Sequence, residues 1–209
     1  MKIDLLRILV LASAGLGLGV LGALAVRTFG FGRPRYFSQA RGRVRGGVIY
    51  AFGRGMIEKE SVALHRPTFF GGVVYHGAVF AGLAYLAWVV FRIPAAPPLW
   101  FFRPIFLLGV LIGLALLAKR IISPYLRKLS CPDDFFANAL VDVFLAVSLL
   151  HTFFPALEPW LFSLSVFLFL YIPLGKIRHC FFFFYTRLIF AVHFGRRGSL
   201  PGSSSENRS

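Results

Sequence analysis

This sequence is short of cysteine, of acid and of charge in general. Its two cysteines, Cys131 and Cys180, form no CxxC, CxxCH or four-cysteine cluster. That excludes an iron–sulfur cluster of the chain's own, a covalently attached c-type haem, a cysteine zinc site and a disulfide framework. Charged residues make up 15 % of the chain, against roughly 25 % in soluble domains. Apolar residues make up 57 % and aromatics 17 %, with phenylalanine occurring 25 times in 209 residues. A water-soluble domain of this size cannot hide that much apolar surface, and a disordered chain needs low hydrophobicity. What remains is an all-α integral membrane protein. No internal repeat is present.

A spanning helix needs about 20 mostly apolar residues, and the sequence predicts five: residues 5–26, 69–91, 99–118, 135–154 and 160–180. The fifth has a blurred end. Lys176, Arg178 and His179 precede the run Phe181–Tyr185, so the helix is expected to stop between Lys176 and Arg187, with an aromatic segment to Phe194 lying along the interface or on a partner. Ala23-Leu24-Ala25 has the look of a signal cleavage site. The apolar run before it is long for a signal peptide, however, and the basic segment after it opposes export. Residues 1–197 are expected to form one membrane domain, and the Gly/Ser-rich stretch 198–209 a disordered tail. Gly15 and Gly19 form a GxxxG pair, a pattern that allows close helix packing.

The formal net charge of +15 first suggests nucleic acid. Its distribution suggests a membrane instead. Nine Lys and Arg fall in residues 27–68, four in 119–128 and six from Lys176 onward, whereas only Lys2, Arg7, Arg92 and Arg103 fall on the other side of the alternating spans. The positive-inside rule then puts the N-terminus outside and the C-terminus in the cytoplasm, with no nucleic acid needed. Such a basic face can also dock anionic lipid or an acidic partner.

An ionisable side chain inside a span is costly and is a functional candidate by default. His76 lies about two turns into the second span, flanked by Gly72 and Gly77, which leave clearance for a bulky planar ligand. His179 lies near the cytoplasmic end of the fifth span, and the two spans run in opposite directions. Two imidazoles from facing helices are what a b-type haem needs, with no covalent anchor. Arg66, Lys176 and Arg178 fall at the same level, as propionate partners or as markers of the membrane boundary. The other histidines are weaker candidates: His65 falls in a loop, His151 at the outer end of the fourth span and His193 in the aromatic tail. Asp142, two turns into the fourth span, is either a buried carboxylate bound to an Arg or to backbone, or a proton relay near a quinone. Asp133 or Asp134 is expected to cap the fourth span. His151, Trp100 and Arg103 are candidates for an outer pocket.

Three stretches carry a resemblance. They are Arg66 to Leu83, with Gly-Gly-Val-Val-Tyr-His-Gly-Ala-Val-Phe; Ser130-Cys131-Pro132-Asp133-Asp134; and Pro173-Leu174-Gly175-Lys176-Ile177-Arg178-His179. In this order, with five spans, the chain resembles the gamma subunit of respiratory nitrate reductase and the related membrane cytochromes of heterodisulfide reductase and sulfite-reduction complexes. Two-haem members of that family carry two histidines in the second span and two in the last. Carried across, these positions fall on His76 and Leu86, and on Leu161 and His179. The resemblance therefore implies a one-haem variant that keeps the ligand pair of the haem nearer the cytoplasm, His76 and His179, and lacks both ligands of the outer one.

The expectation is a multi-pass protein of a prokaryotic cytoplasmic membrane that is not a complete enzyme. It would act as an anchor that relays electrons between menaquinone and a cytoplasmic iron–sulfur partner through one haem b, with the basic loop 27–68 and the C-terminal segment as docking surfaces. The alternative is a membrane anchor or small transporter without haem. Pro104 and Pro173 fall near helix ends, so the broken mid-membrane helices of a transporter are not expected.

Overall fold

The computed structural model describes residues 2–32, 39–58 and 60–203. Among these residues the chain is all-helical and contains no β-strand. The helices are α1 (Lys2–Arg27, continued by a 3-10 turn, Thr28–Phe31), α2 (Val44–Phe52), α3 (Arg54–Ile57), α4 (Glu60–Leu64), α5 (Arg66–Val90), α6 (Leu99–Ile122), α7 (Pro124–Leu129), α8 (Pro132–His151), α9 (Glu158–Tyr171) and α10 (His179–Arg197). Four segments, Ile3–Phe31, Arg66–Val90, Leu99–Ile122 and Pro132–His151, are long and apolar enough to cross a membrane. A fifth is reached if the broken pair Pro155–Tyr171 and Lys176–Arg197 counts as one. The protein is thus suited to a multi-pass position in a lipid bilayer.

The chain divides into two compact units: residues 1–20 with 67–177, and residues 21–66 with 178–209. In the first unit, polar contacts at the helix ends define an up-and-down order. Arg7 of α1 donates to the Val90 carbonyl at the end of α5 (2.9 Å). Arg103, early in α6, donates to the Thr152 carbonyl just past α8 (2.7 Å). Lys119, late in α6, meets Thr68 of α5 (2.6 Å), and Arg120 meets Asp134 of α8 (3.3 Å). Between these two ends lies an aromatic core containing Tyr85, Phe102, Phe106, Phe144 and Phe162. In lipid no hydrophobic effect drives one helix onto another, so close packing must do so. Gly109 supplies that closeness: a Cβ there would stand 2.5 Å from the Ala78 Cβ and 3.1 Å from Leu145.

The fifth apolar region is not continuous. α9 stops at Tyr171, and α10 begins only at His179. Pro173 is the cause, because it has no N–H to return to the Phe169 carbonyl one turn back. Gly17 of α1 packs against that same carbonyl, where a Cβ would stand 2.7 Å from the oxygen. The break is then pinned by Asp133, which accepts the Lys176 N–H at 2.9 Å and the Tyr171 hydroxyl. The expected GxxxG pair does not make the close contact: nothing lies within 4 Å of a Cβ at Gly15 or Gly19, and Gly17 between them is the packed glycine.

The second unit rests on α2 against α10. Small residues at four-residue spacing, Gly47 and Ala51 on one helix and Ala191 and Gly195 on the other, let the two backbones touch. A Cβ at Gly47 would stand 2.6 Å from the Gly195 Cα. Arg187 reaches from α10 to the Ala51 and Gly55 carbonyls (both 2.7 Å), satisfying acceptors at the ends of α2 and α3. Residues 198–203, expected within a disordered tail, belong to this packing. Gly198 closes α10 in the left-handed region (φ 72°), and the buried Ser203 offers its carbonyl to the Arg43 N–H at 2.7 Å. The rest of that tail, 204–209, lies outside the described residues, as do Arg33, Arg35 and Lys59 of the basic loop.

Candidate functional site

His76 lies in the first unit, on an exposed face of α5. Its Nδ1 is 2.6 Å from the Gly72 carbonyl one turn back. A carbonyl can only accept, so Nδ1 carries the proton and the ring lone pair sits on Nε2. This is the tautomer of a metal-ligating histidine whose other nitrogen is held by a backbone carbonyl. A Cβ at Gly72 or at Gly77 would meet nothing within 4 Å.

His179 lies in the second unit, exposed, as the first residue of α10. Its Nε2 is 3.5 Å from the Cys180 thiol. That interaction was not foreseen, and adjacency in sequence was the only signal for it. Arg66 is exposed at the start of α5. Lys176 belongs to the first unit, where its ammonium is 3.2 Å from Asp134. Arg178 belongs to the second unit, at the N-cap of α10, and faces a cleft that Arg27 also lines.

The acidic pair after Cys131 caps α8 in a different manner from that expected. Cys131 itself is the N-cap residue. Asp134, at the third helical position, accepts the Cys131 N–H at 2.9 Å, closing a capping box. Asp133 is spent on the α9–α10 break. Asp142 is buried and bound to side chains rather than to an Arg or to backbone. It accepts from the Tyr75 hydroxyl (2.7 Å) and the Asn138 amide (2.9 Å). Asn138 is one turn before Asp142 on α8, a spacing visible in sequence. Tyr75 comes from α5, and nothing local pairs it with position 142. All of the carboxylate's contacts are internal, which makes it a polar clasp between α5 and α8.

At the other end of the unit, His151 is buried and its Nδ1 lies 2.8 Å from the Tyr85 hydroxyl. Its Nε2 has no hydrogen-bond partner among the described residues. Arg103 is held by Thr152 and stacks on Phe153, 4.1 Å from its ring centre. Trp100 is 81 % exposed.

Comparison with protein-family models, with curated proteins and with solved structures returns no match. The functional reading therefore rests on the residues themselves.

Proposed function

We propose that this protein is a membrane anchor and electron-transfer subunit that binds one haem b through His76 and His179. The observation that carries the reading is the His76–Gly72 hydrogen bond, which commits an intramembrane histidine to the tautomer of a metal ligand beside two glycines. An ionisable ring in an apolar span is costly and is a functional candidate by default. When bound, a bis-imidazole haem supplies one-electron redox chemistry.

The chain's own residues hold and orient that group. The Gly72 carbonyl fixes the His76 ring, and the glycines keep its flank clear. Arg66 is the cation proposed for a propionate, because it has no other partner among the described residues. Lys176 and Arg178 add positive charge while serving Asp134 and the Arg27 cleft. The apolar helices exclude water. With no cysteine cluster in the chain, the iron–sulfur centres belong to a cytoplasmic partner that docks on the basic segments, and menaquinone is the membrane-side reactant. In this reading the N-terminus faces out and the C-terminus faces the cytoplasm of a prokaryotic inner membrane, an orientation that the Lys and Arg distribution supports. In these respects the protein resembles the nitrate reductase gamma subunit and its relatives.

The test is a dithionite-reduced minus oxidised visible spectrum, with extractable haem counted per chain, on the protein purified in mild detergent with its native partners. One haem b per chain, lost in both His76→Ala and His179→Ala, is expected. A well-folded complex without haem overturns the reading and leaves a non-redox anchor. Two haems per chain overturn the single-pair assignment.

A further inference from the structure

The end of α1 and the start of α10 enclose an open cleft of about 440 Å³, lined by Leu24, Arg27, Thr28, Phe31, Arg178 and Phe182. All six residues belong to the second unit. The lining residues include two arginines and three large apolar residues, and no acidic residue. Neither Arg27 nor Arg178 has an acidic partner among the described residues. Two like charges on one cleft repel each other, and both gain from a shared anion. Arg178 also stands at the N-cap of α10, whose first turn receives no side-chain cap, so the positive end of the helix dipole adds to the potential there. The wall is fixed. Thr28 donates to the Ala25 carbonyl at 2.6 Å and accepts from the Tyr185 hydroxyl.

The cleft lies where the long apolar run of α1 gives way to Arg27, the level at which lipid headgroups meet a spanning helix. It faces the side of α10 that carries positions 178 and 182. His179 is one residue round the helix, about 100° away at 3.6 residues per turn.

We propose that this cleft is a binding site for an anionic phospholipid, its phosphodiester on Arg27 and Arg178 and the start of its acyl chains on Leu24, Phe31 and Phe182. A small oxyanion would satisfy the guanidiniums but would leave the apolar lining in contact with water. A zwitterionic lipid would bring its own cation against the arginines. The site depends on α1 crossing a membrane and not on haem; sedimentation of the full chain with membranes tests that dependence separately.

The full chain is purified in detergent, loaded with dioleoyl phosphatidylglycerol or dioleoyl phosphatidylcholine, and examined by native mass spectrometry. One phosphatidylglycerol per chain should survive a phosphatidylcholine wash, and millimolar inorganic phosphate should not displace it. Arg27→Gln should weaken retention about tenfold, as loss of one charge-assisted contact implies. Arg27→Lys should keep most of it, which guards against a folding artefact, and Arg27→Gln with Arg178→Gln should abolish it. Equal retention of phosphatidylcholine, or unchanged retention in Arg27→Gln, overturns the proposal. Displacement by inorganic phosphate also overturns it, by showing a plain oxyanion site.

Discussion

His76 donates its Nδ1–H to the carbonyl of Gly72 at 2.6 Å, and no atom within 4 Å would meet a Cβ at that glycine. The two facts separate function from folding at one position. Gly72→Leu adds a side chain where the protein has room, and replacing Gly in a helix gains roughly 0.5–1 kcal/mol from propensity. Thermal unfolding in detergent should therefore be unchanged or slightly improved. The same leucine occupies the flank proposed for a macrocycle. Haem per chain should fall severalfold with the fold intact, while Gly19→Leu, equally open but far along another helix, leaves both quantities alone. Full haem content in Gly72→Leu would remove the flank from the site.

Arg187 should be the most sensitive single cation in the second unit. Its Nε–H and one terminal N–H go to the Ala51 and Gly55 carbonyls, both at 2.7 Å. Hydrogen bonds to a charged group contribute about 1.5–3 kcal/mol, and the carbonyls left behind add a cost of their own. Arg187→Ala should lower stability by about 2–3 kcal/mol and expose Arg54 to trypsin. Arg187→Lys should recover less than half, because a lysine ammonium cannot reproduce the planar fork. Limited proteolysis followed by mass spectrometry distinguishes this from a general loosening, which would expose the first unit's loops as well.

Asp142 should behave as a structural clasp. Both of its oxygens accept side-chain donors, Tyr75 on one and Asn138 on the other. Asp142→Asn keeps one acceptor, and the Asn138 amide can turn to offer its own oxygen, so a loss under about 1 kcal/mol is expected. Asp142→Leu leaves a hydroxyl and an amide buried without an acceptor, at about 1–3 kcal/mol for each group. Combining Asp142→Leu with Tyr75→Phe should cost less than the sum of the two, since the hydroxyl that was orphaned is gone. Unfolding of the four variants in detergent closes the cycle. If Asp142→Asn instead leaves stability unchanged but halts electron transfer from quinol, the carboxylate is a proton carrier.

The apolar periods of this chain were readable because a bilayer demands them. Each span must satisfy its own backbone and present about 20 apolar residues, so α1, α5, α6 and α8 could be found by composition alone. The end of the fifth region could not be found in that way. Pro173 stands at the break, but whether a proline ends a helix or kinks it depends on what takes up the released carbonyl. Here Gly17, from the far end of the sequence, packs against it. The GxxxG pair shows the same dependence: a small-residue motif says that a close approach is possible, and only the neighbouring helix decides which glycine is used.

Among the polar residues, sequence identified the histidines and Asp142 because ionisable groups in apolar runs are conspicuous. It supplied the Gly72–His76 spacing, which is local to one helical turn. It did not supply Tyr75 as the partner of Asp142, nor Tyr85 as the partner of His151, since hydroxyls on aromatic rings are common in spans and carry no charge to mark them. The pairing of Lys176 with Asp134 was likewise hidden, because both lie at helix ends where many partners are within reach of a long side chain.

What the sequence determined by itself is the class of molecule: helical, built for a bilayer, basic on one set of alternate connections, and carrying His76, His151 and His179 in its apolar runs. These follow from composition and from distances of one or two turns, where the covalent chain fixes which groups meet. What only the tertiary structure decided is the use of those groups. The packed glycine of α1, the clasp on Asp142, the Arg187 bonds to the ends of α2 and α3, and the two arginines of the α1–α10 cleft all join residues far apart in sequence. Such meetings depend on how helices pack, and close packing between helices in lipid is set by the shapes of both partners at once.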